Sequence, residues 1–266
     1  DHSTAIADAQ GRLIAQAEIS LPIHLASMLG LMKILIAKYG DDIHEGDLFI
    51  ANDPHVAGGT HLPDINMAMP VFVEGKLVAF VANLAHHADV GGAARGSMAG
   101  GLFEIYQEGL RLPPLKLFKR GERNDEVWAM IGQNVRQPAI VLGDLQSQIA
   151  SLDVGATSVG RLAVKYGPAV LLSACRRLLD NSEAAMRDVI ARMPDGTYAF
   201  EDHLDDDGID TERPVRLAAT VTIKGSDLTV DLSGSSPEVR GPINATLGST
   251  SSAINFAIMA CADRPI

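Results

Sequence analysis

The segment MAMPVFVEGKLVAFVANLAHH (67–87) constrains this chain more than any other. Two apolar runs flank Glu74-Gly75-Lys76, and a glycine between strand-like runs supplies the positive φ that a tight hairpin turn needs. A hairpin folds back on itself, so the residues before its first strand meet the residues that end its second. Those residues are GGTHLPD (58–64) and LAHHADVGG (84–92). Antiparallel pairing about Gly75 therefore carries His61 and Asp64 to the same end as His86 and His87.

Imidazole nitrogen and carboxylate oxygen brought together by neighbouring loops form the donor set that Zn, Mn or Fe in the divalent state accepts, with space left for water. The expected ligands are His61, Asp64 and His86. Pro63 interrupts His61-x-x-Asp64, which favours a loop over a helix. An isolated HxxD is more often coincidence than a site, and the added histidine shifts that balance. Adjacent strand residues face opposite ways, so His87 either turns away from His86 or supports it from behind.

Several neighbours carry two readings each. Asn52-Asp53-Pro54 is turn chemistry first, and second a source of polar groups, Asn52 and Asp53, behind the ligands. Asp89-Val90-Gly91-Gly92 is a tight turn, yet Asp89 is close enough to act as a base or to orient a histidine. Arg95 and Arg111 are either solvated or clamp an anionic group. His24, on an apolar helix face, is assigned to the core rather than to the ligands.

The rest of the chain predicts an α+β fold. Residues 4–17 read as a hairpin turning at Asp8-Ala9-Gln10-Gly11, and Pro22 opens a helix through about Tyr39 that ends at Gly40. DLFIAN (47–52) reads as a buried strand. Helical spacing dominates from about Glu126 to Met193, with breaks expected near Gly155 and at Gly167-Pro168. Strand patterns return after Pro194-Asp195-Gly196, in TYAFED (197–202) and in a second hairpin, VRLAATVTI (215–223) and LTVDLSG (228–234). SAINFAIMACA (252–262) fits helix or strand. Three regions follow, 1–125, 126–193 and 194–266, compatible also with one domain. Asp205-Asp206-Asp207-Gly208 lacks the ligand alternation of a calcium loop and reads as a solvated turn.

The composition excludes some classes of partner. A net charge of −11 provides no basic stripe for a nucleic-acid backbone. No apolar run reaches the roughly 18–20 residues of a membrane span, because His24, Lys33 and Lys38 interrupt the longest candidate. Cys175 and Cys261 stand far apart and outside any CxxC spacing, which predicts buried thiols in a reducing, cytoplasmic setting. No GxxxxGK[ST], helix-opening GxGxxG or GxSxG motif occurs, so any nucleotide is expected on another subunit. The chain opens on Asp1 and runs to Asp263-Arg264-Pro265-Ile266 without a helix end or tail signal, as expected of a piece of a longer polypeptide.

A set of segments spread in order over the chain carries a resemblance. DHSTAIADAQGRLIAQAE, GDLFIANDPHVAGGTHLPD, LVAFVANLAHHADVGG, EIYQEGLRLPPLKL, GDLQSQIA, MPDGTYAFEDHLDDDG and VDLSGSSPEV resemble the B component of the hydantoinase/5-oxoprolinase family, which includes subunits of acetone and acetophenone carboxylases. The resemblance implies a metal site at His61, Asp64 and His86, with Asp1 as a further ligand from the segment matching the family's DFS motif, here DHS. It also implies a hetero-oligomer in which an A-type partner binds ATP and Mg, and phosphorylates a small-molecule substrate. The B-type subunit then completes the reaction, with Asp89 or His87 moving the proton. A cyclic amide hydrolase is the first expectation. An ATP-dependent ketone carboxylase is the second, and a non-catalytic structural subunit is the third.

Overall fold

The computed structural model describes residues 1–262; the terminal Asp263-Arg264-Pro265-Ile266 lies outside the described residues. The fold is α+β, as the pattern predicts, and the chain divides into two compact units. The first comprises Asp1–Met98, Ile105–Arg176 and Thr246–Ala253, and the second Ala99–Glu104, Arg177–Ala245 and Ile254–Ile266.

The first unit is built on seven strands: β1 (His2–Asp8), β2 (Leu13–Gln16), β3 (Leu48–Ala51), β4 (Asp64–Val73), β5 (Lys76–His86), β6 (Leu115–Lys119) and β7 (Glu122–Arg123). They lie in the order β2-β1-β5-β4-β3-β6-β7, and each neighbouring pair is antiparallel. The central hairpin turns at Glu74 and Gly75, whose φ values of 52° and 72° are both positive, as in the turns that match strand twist. Its register sets Asp64 opposite His86.

Both faces of this sheet are covered, which explains why MAMPVFV reads as a continuous apolar run instead of an alternation. On one face, Met28, Leu31, Met32 and Leu35 of α1 (Pro22–Tyr39) pack on Ala5, Phe49, Ala68, Phe80, Ala82 and Leu84. On the other, Val141, Leu145, Leu152 and Val159 of α3 (Pro138–Tyr166) join Ile50, Ile65, Met67 and Val81, with Ile131 of α2 (Asp125–Asn134). By length and mean hydropathy (1.2), Pro22–Asp42 reaches what a membrane span requires, contrary to the expectation from its charged residues. Its fully buried stripe on the sheet is what a core helix shows.

The expected break near Gly155 is absent, and α3 runs unbroken through it. A Cβ there would lie 3.3 Å from Val81 Cγ1, so the glycine marks close packing of helix on strand, not a terminus. The break at Gly167 is real: α4 (Pro168–Ala191) begins one residue later. The second unit carries a three-stranded antiparallel sheet in the order β10-β9-β8, from β8 (Gly196–Leu204), β9 (Val215–Lys224) and β10 (Asp227–Asp231). The segment left open as helix or strand is helical, in α5 (Leu247–Ala260).

Gly30 of α1 meets Gly58 of the loop before β4, and a Cβ on Gly30 would lie 2.7 Å from Gly58 Cα. Alanine at 30 has the better helix propensity by about 1 kcal/mol. Overpacking against backbone nevertheless costs about 1–3 kcal/mol. Gly30→Ala is therefore expected to lower the urea midpoint. An unchanged or raised midpoint would show that this contact does not hold the loop down.

Candidate metal centre

The hairpin delivers Asp64 as the first residue of β4 and His86 as the last of β5, directly paired. The loop before β4 adds His61, whose carbonyl accepts the Asp64 N–H at 3.1 Å. One ligand atom from each of His61, Asp64 and His86 lies within 4.8 Å of the other two. The His61 and His86 rings sit 4.9 Å apart, centroid to centroid, and His61 Nε2 is 3.4 Å from Asp64 Oδ2. Thr60 donates its hydroxyl to the same oxygen, and Asp64 Oδ1 is buried with no partner. Thr60 adjoins His61 in GGTHLPD, a signal that the sequence reading passed over.

These residues suit a divalent cation. Two imidazoles and a carboxylate form a mixed nitrogen and oxygen set with positions left for exogenous ligands. Burial pushes the His86 imidazole below its ordinary pKa, outweighing the attraction of Asp64, so its lone pair is free near neutrality. The unpartnered Asp64 Oδ1 leaves carboxylate capacity that no protein group uses.

Asn52 and Asp53 hold the loops that carry this set. Asn52 Nδ2 donates to the carbonyls of Leu62 (2.7 Å) and Leu110 (2.9 Å), and its Oδ1 accepts the Leu112 N–H. Asp53 Oδ1 caps the N–H groups of His55 and Val56, while Oδ2 accepts Arg111 Nε at 3.0 Å and Nη2 at 2.6 Å. Burial opposes ionisation of Asp53, yet the guanidinium and the backbone donors hold its pKa below the ordinary value. Arg111 is thus committed to Asp53 and stacked 4.9 Å from the Tyr106 ring, not a free anion clamp. Arg95 lies exposed on the loop after β5.

Asp1 contributes only its backbone carbonyl here, which accepts the His86 N–H at 3.0 Å. Its carboxylate does not join the three converging groups within 4.8 Å. The two expected proton carriers have other tasks. His87 is fully buried, its N–H bonded to Pro63 O and its Nε2 2.9 Å from Gln148 Oε1 of α3. Burial lowers its pKa despite the Gln148 bond. Asp89 is enclosed by Gly91 N–H, Gly96 N–H, Arg136 N–H and Arg136 Nη1. Burial opposes its ionisation too, but these donors overcome it and hold the pKa at about 2. Arg136 also binds the carbonyls of Gly91, Gly92 and Ala94, so the Asp89–Arg136 pair shapes the loop after β5. Arg136 stands in the segment NVRQP, and nothing local links it to Asp89, 47 residues earlier.

His24 is buried, with Nδ1 2.9 Å from Ser3 Oγ. Burial lowers its pKa, opposed by Asp64 and reinforced by His61 and His86, so it stands within electrostatic reach of the centre.

Known proteins resemble this chain along its whole length. The profile described as Hydantoinase B/oxoprolinase matches residues 1–266. Caprolactamase subunit beta of Pseudomonas jessenii is 34% identical over 265 residues, covering 100% of this chain and 45% of the relative. The acetophenone carboxylase delta subunit of Aromatoleum aromaticum is 31% identical, over 92% of this chain and 36% of the relative. The crystal structure of the ATP-dependent caprolactamase from Pseudomonas jessenii superimposes with a TM-score of 0.91 at 33% identity, covering 100% of this chain and 45% of that one. The chain thus spans less than half the length of these relatives.

Asp89 keeps its stabilising contribution above its unfolded-state pKa of 3.8 and loses it as pH falls towards about 2. Asp89→Asn leaves the Arg136 guanidinium without its anion and is expected to cost about 3 kcal/mol at pH 7. The loss should shrink as pH falls towards 2, where the wild-type carboxyl is half protonated. Equal denaturant midpoints for both proteins at pH 7 would rule out the clamp.

Proposed function

The chain belongs to the hydantoinase B/oxoprolinase family, and from that footing we propose that it is the metal-bearing B-type subunit of an ATP-dependent cyclic amide hydrolase. The observation that carries the reading is the convergence of His61, Asp64 and His86 within 4.8 Å. The similarity to a caprolactamase subunit, over this whole chain, supports a ring amide as substrate class.

His61, His86 and Asp64 would hold a divalent zinc, manganese or iron. When bound, such a cation supplies Lewis-acid polarisation and raises the acidity of water at the site. The chain's own residues do the positioning. Thr60 fixes Asp64 Oδ2 by its hydroxyl, and the Pro63 carbonyl ties the loop to His87 N–H. Asn52 and the Asp53–Arg111 pair keep the loop against its neighbours. A ring amide resists attack because its nitrogen is a poor leaving group and its carbonyl is resonance-stabilised. ATP-dependent activation of the carbonyl oxygen is assigned to an A-type partner with its own Mg, since this chain has no P-loop or dinucleotide fingerprint. Cys175 is buried, whereas Cys261 is exposed, against the expectation of two buried thiols; both are free, as suits a cytoplasmic complex.

A second reading, a subunit of an ATP-dependent ketone carboxylase, is favoured by the similarity to the acetophenone carboxylase delta subunit. Bicarbonate dependence separates the two. Lactam opening without bicarbonate supports hydrolysis, whereas ketone turnover that requires it supports carboxylation.

Elemental analysis of the intact complex is expected to find about one divalent ion per chain. His61→Ala should lose most of that ion and lower ATP-dependent turnover by at least about 100-fold. Full activity in His61→Ala, or undiminished activity after exhaustive chelation, would instead assign these histidines a structural role.

A further inference from the structure

Among the described residues, five buried side-chain polar atoms lack a hydrogen-bond partner, and four of them belong to Asp64, Asn66 and Ser27. The register explains why they cluster. Asp64 and Asn66 are two apart on β4 and share a face, with Asp64 opposite His86 and Asn66 opposite Leu84. Leu84 in turn faces Ser3 of β1. Helix α1 covers this face with His24 and Ser27, one turn apart and both buried, and the His24–Ser3 contact at 2.9 Å fixes that turn above the row. The next row on the same face, Ala5, Ala82 and Ala68, is wholly apolar. A thin polar layer therefore separates the metal centre from the core.

Asn66 is 0% exposed, yet both halves of its carboxamide are unpaired. Packing alone would be better served by an apolar side chain, because a buried amide without partners forfeits its hydration. The two oxygens of Asp64 differ. Oδ2 faces Thr60 and His61, while Oδ1 is buried and unbound. In proteins generally, ordered water bridges buried polar groups that lack protein partners, making two to four hydrogen bonds.

We propose that Asn66, with Ser27, is a positioning residue of the metal centre: through ordered water it holds Asp64 Oδ1, so that Oδ2 is presented to the cation. This rests on the metal-site reading above. Ligating carboxylates held by a second hydrogen bond bind metal better than free ones, and removal of such partners weakens binding by about 10–100-fold.

The test is a competition titration of the intact complex with Zn²⁺ or Mn²⁺ against a chromogenic chelator, paired with thermal unfolding of the metal-free protein. Asn66→Leu is expected to weaken the cation by at least about tenfold. Its metal-free Tm should change little, because leucine fills the space of the carboxamide with apolar packing of similar volume. Ser27→Ala should shift affinity the same way by less. Should Asn66→Leu fail to fold, Asn66→Ser, which leaves room for water, is expected to weaken binding to an intermediate degree. Affinities within about twofold of wild type in the folded variants overturn the inference while leaving the metal site intact. A wild-type complex that binds no divalent cation overturns both.

Discussion

The pairing of Asp64 with His86 across the β4–β5 hairpin is the contact on which the site depends. Side chains on a strand alternate with period two, so a slip of one residue would send His86 to the α3 face and bring buried His87 to the ligands. Register is held from both ends. The Glu74–Gly75 turn admits two positive φ values, and at the far end the Pro63 carbonyl accepts the His87 N–H while Asp1 O accepts the His86 N–H. The two apolar faces reinforce it, since Ile65 and Met67 belong to one core and Ala68 and Leu84 to the other. A slip of one residue would exchange the two sets between faces and disrupt the packing of both cores.

Around that hairpin the polar groups are mostly structural. Asn52, Asp53, Arg111, Asp89 and Arg136 spend their hydrogen bonds on loop backbone and on each other. Converging loops need this, because glycine-rich segments such as GGTHLPD have little intrinsic order. The imidazoles of His61 and His86 and the Asp64 carboxylate are thereby left to converge on a shared point.

Much of this was legible in the chain itself. The turn at Gly75, the helix bounded by Pro22 and Gly40, and the strand-like runs of the second unit follow from local rules about glycine, proline and period. The convergence of His61, Asp64 and His86 followed from one non-local step, antiparallel pairing about an expected turn. What eluded the reading was contact between distant segments. Asp89 resembles a base until Arg136, 47 residues on, is placed beside it, and Arg111 resembles an anion clamp until Asp53 is found 58 residues earlier. Gly155 resembles a helix break because the signal for a breaker and for close packing is the same residue. His24 was read as a core histidine, and it is buried; its proximity to Asp64 comes from the way α1 crosses the sheet.

Anomalous diffraction from crystals of the complex, grown with zinc, manganese or iron and measured across the absorption edge, tests the central claim most directly. The account predicts a peak bounded by His61, Asp64 and His86, with ligand distances of about 2.0–2.2 Å. A peak at other residues of this chain, or none between the two imidazoles in crystals of the active complex, would contradict it.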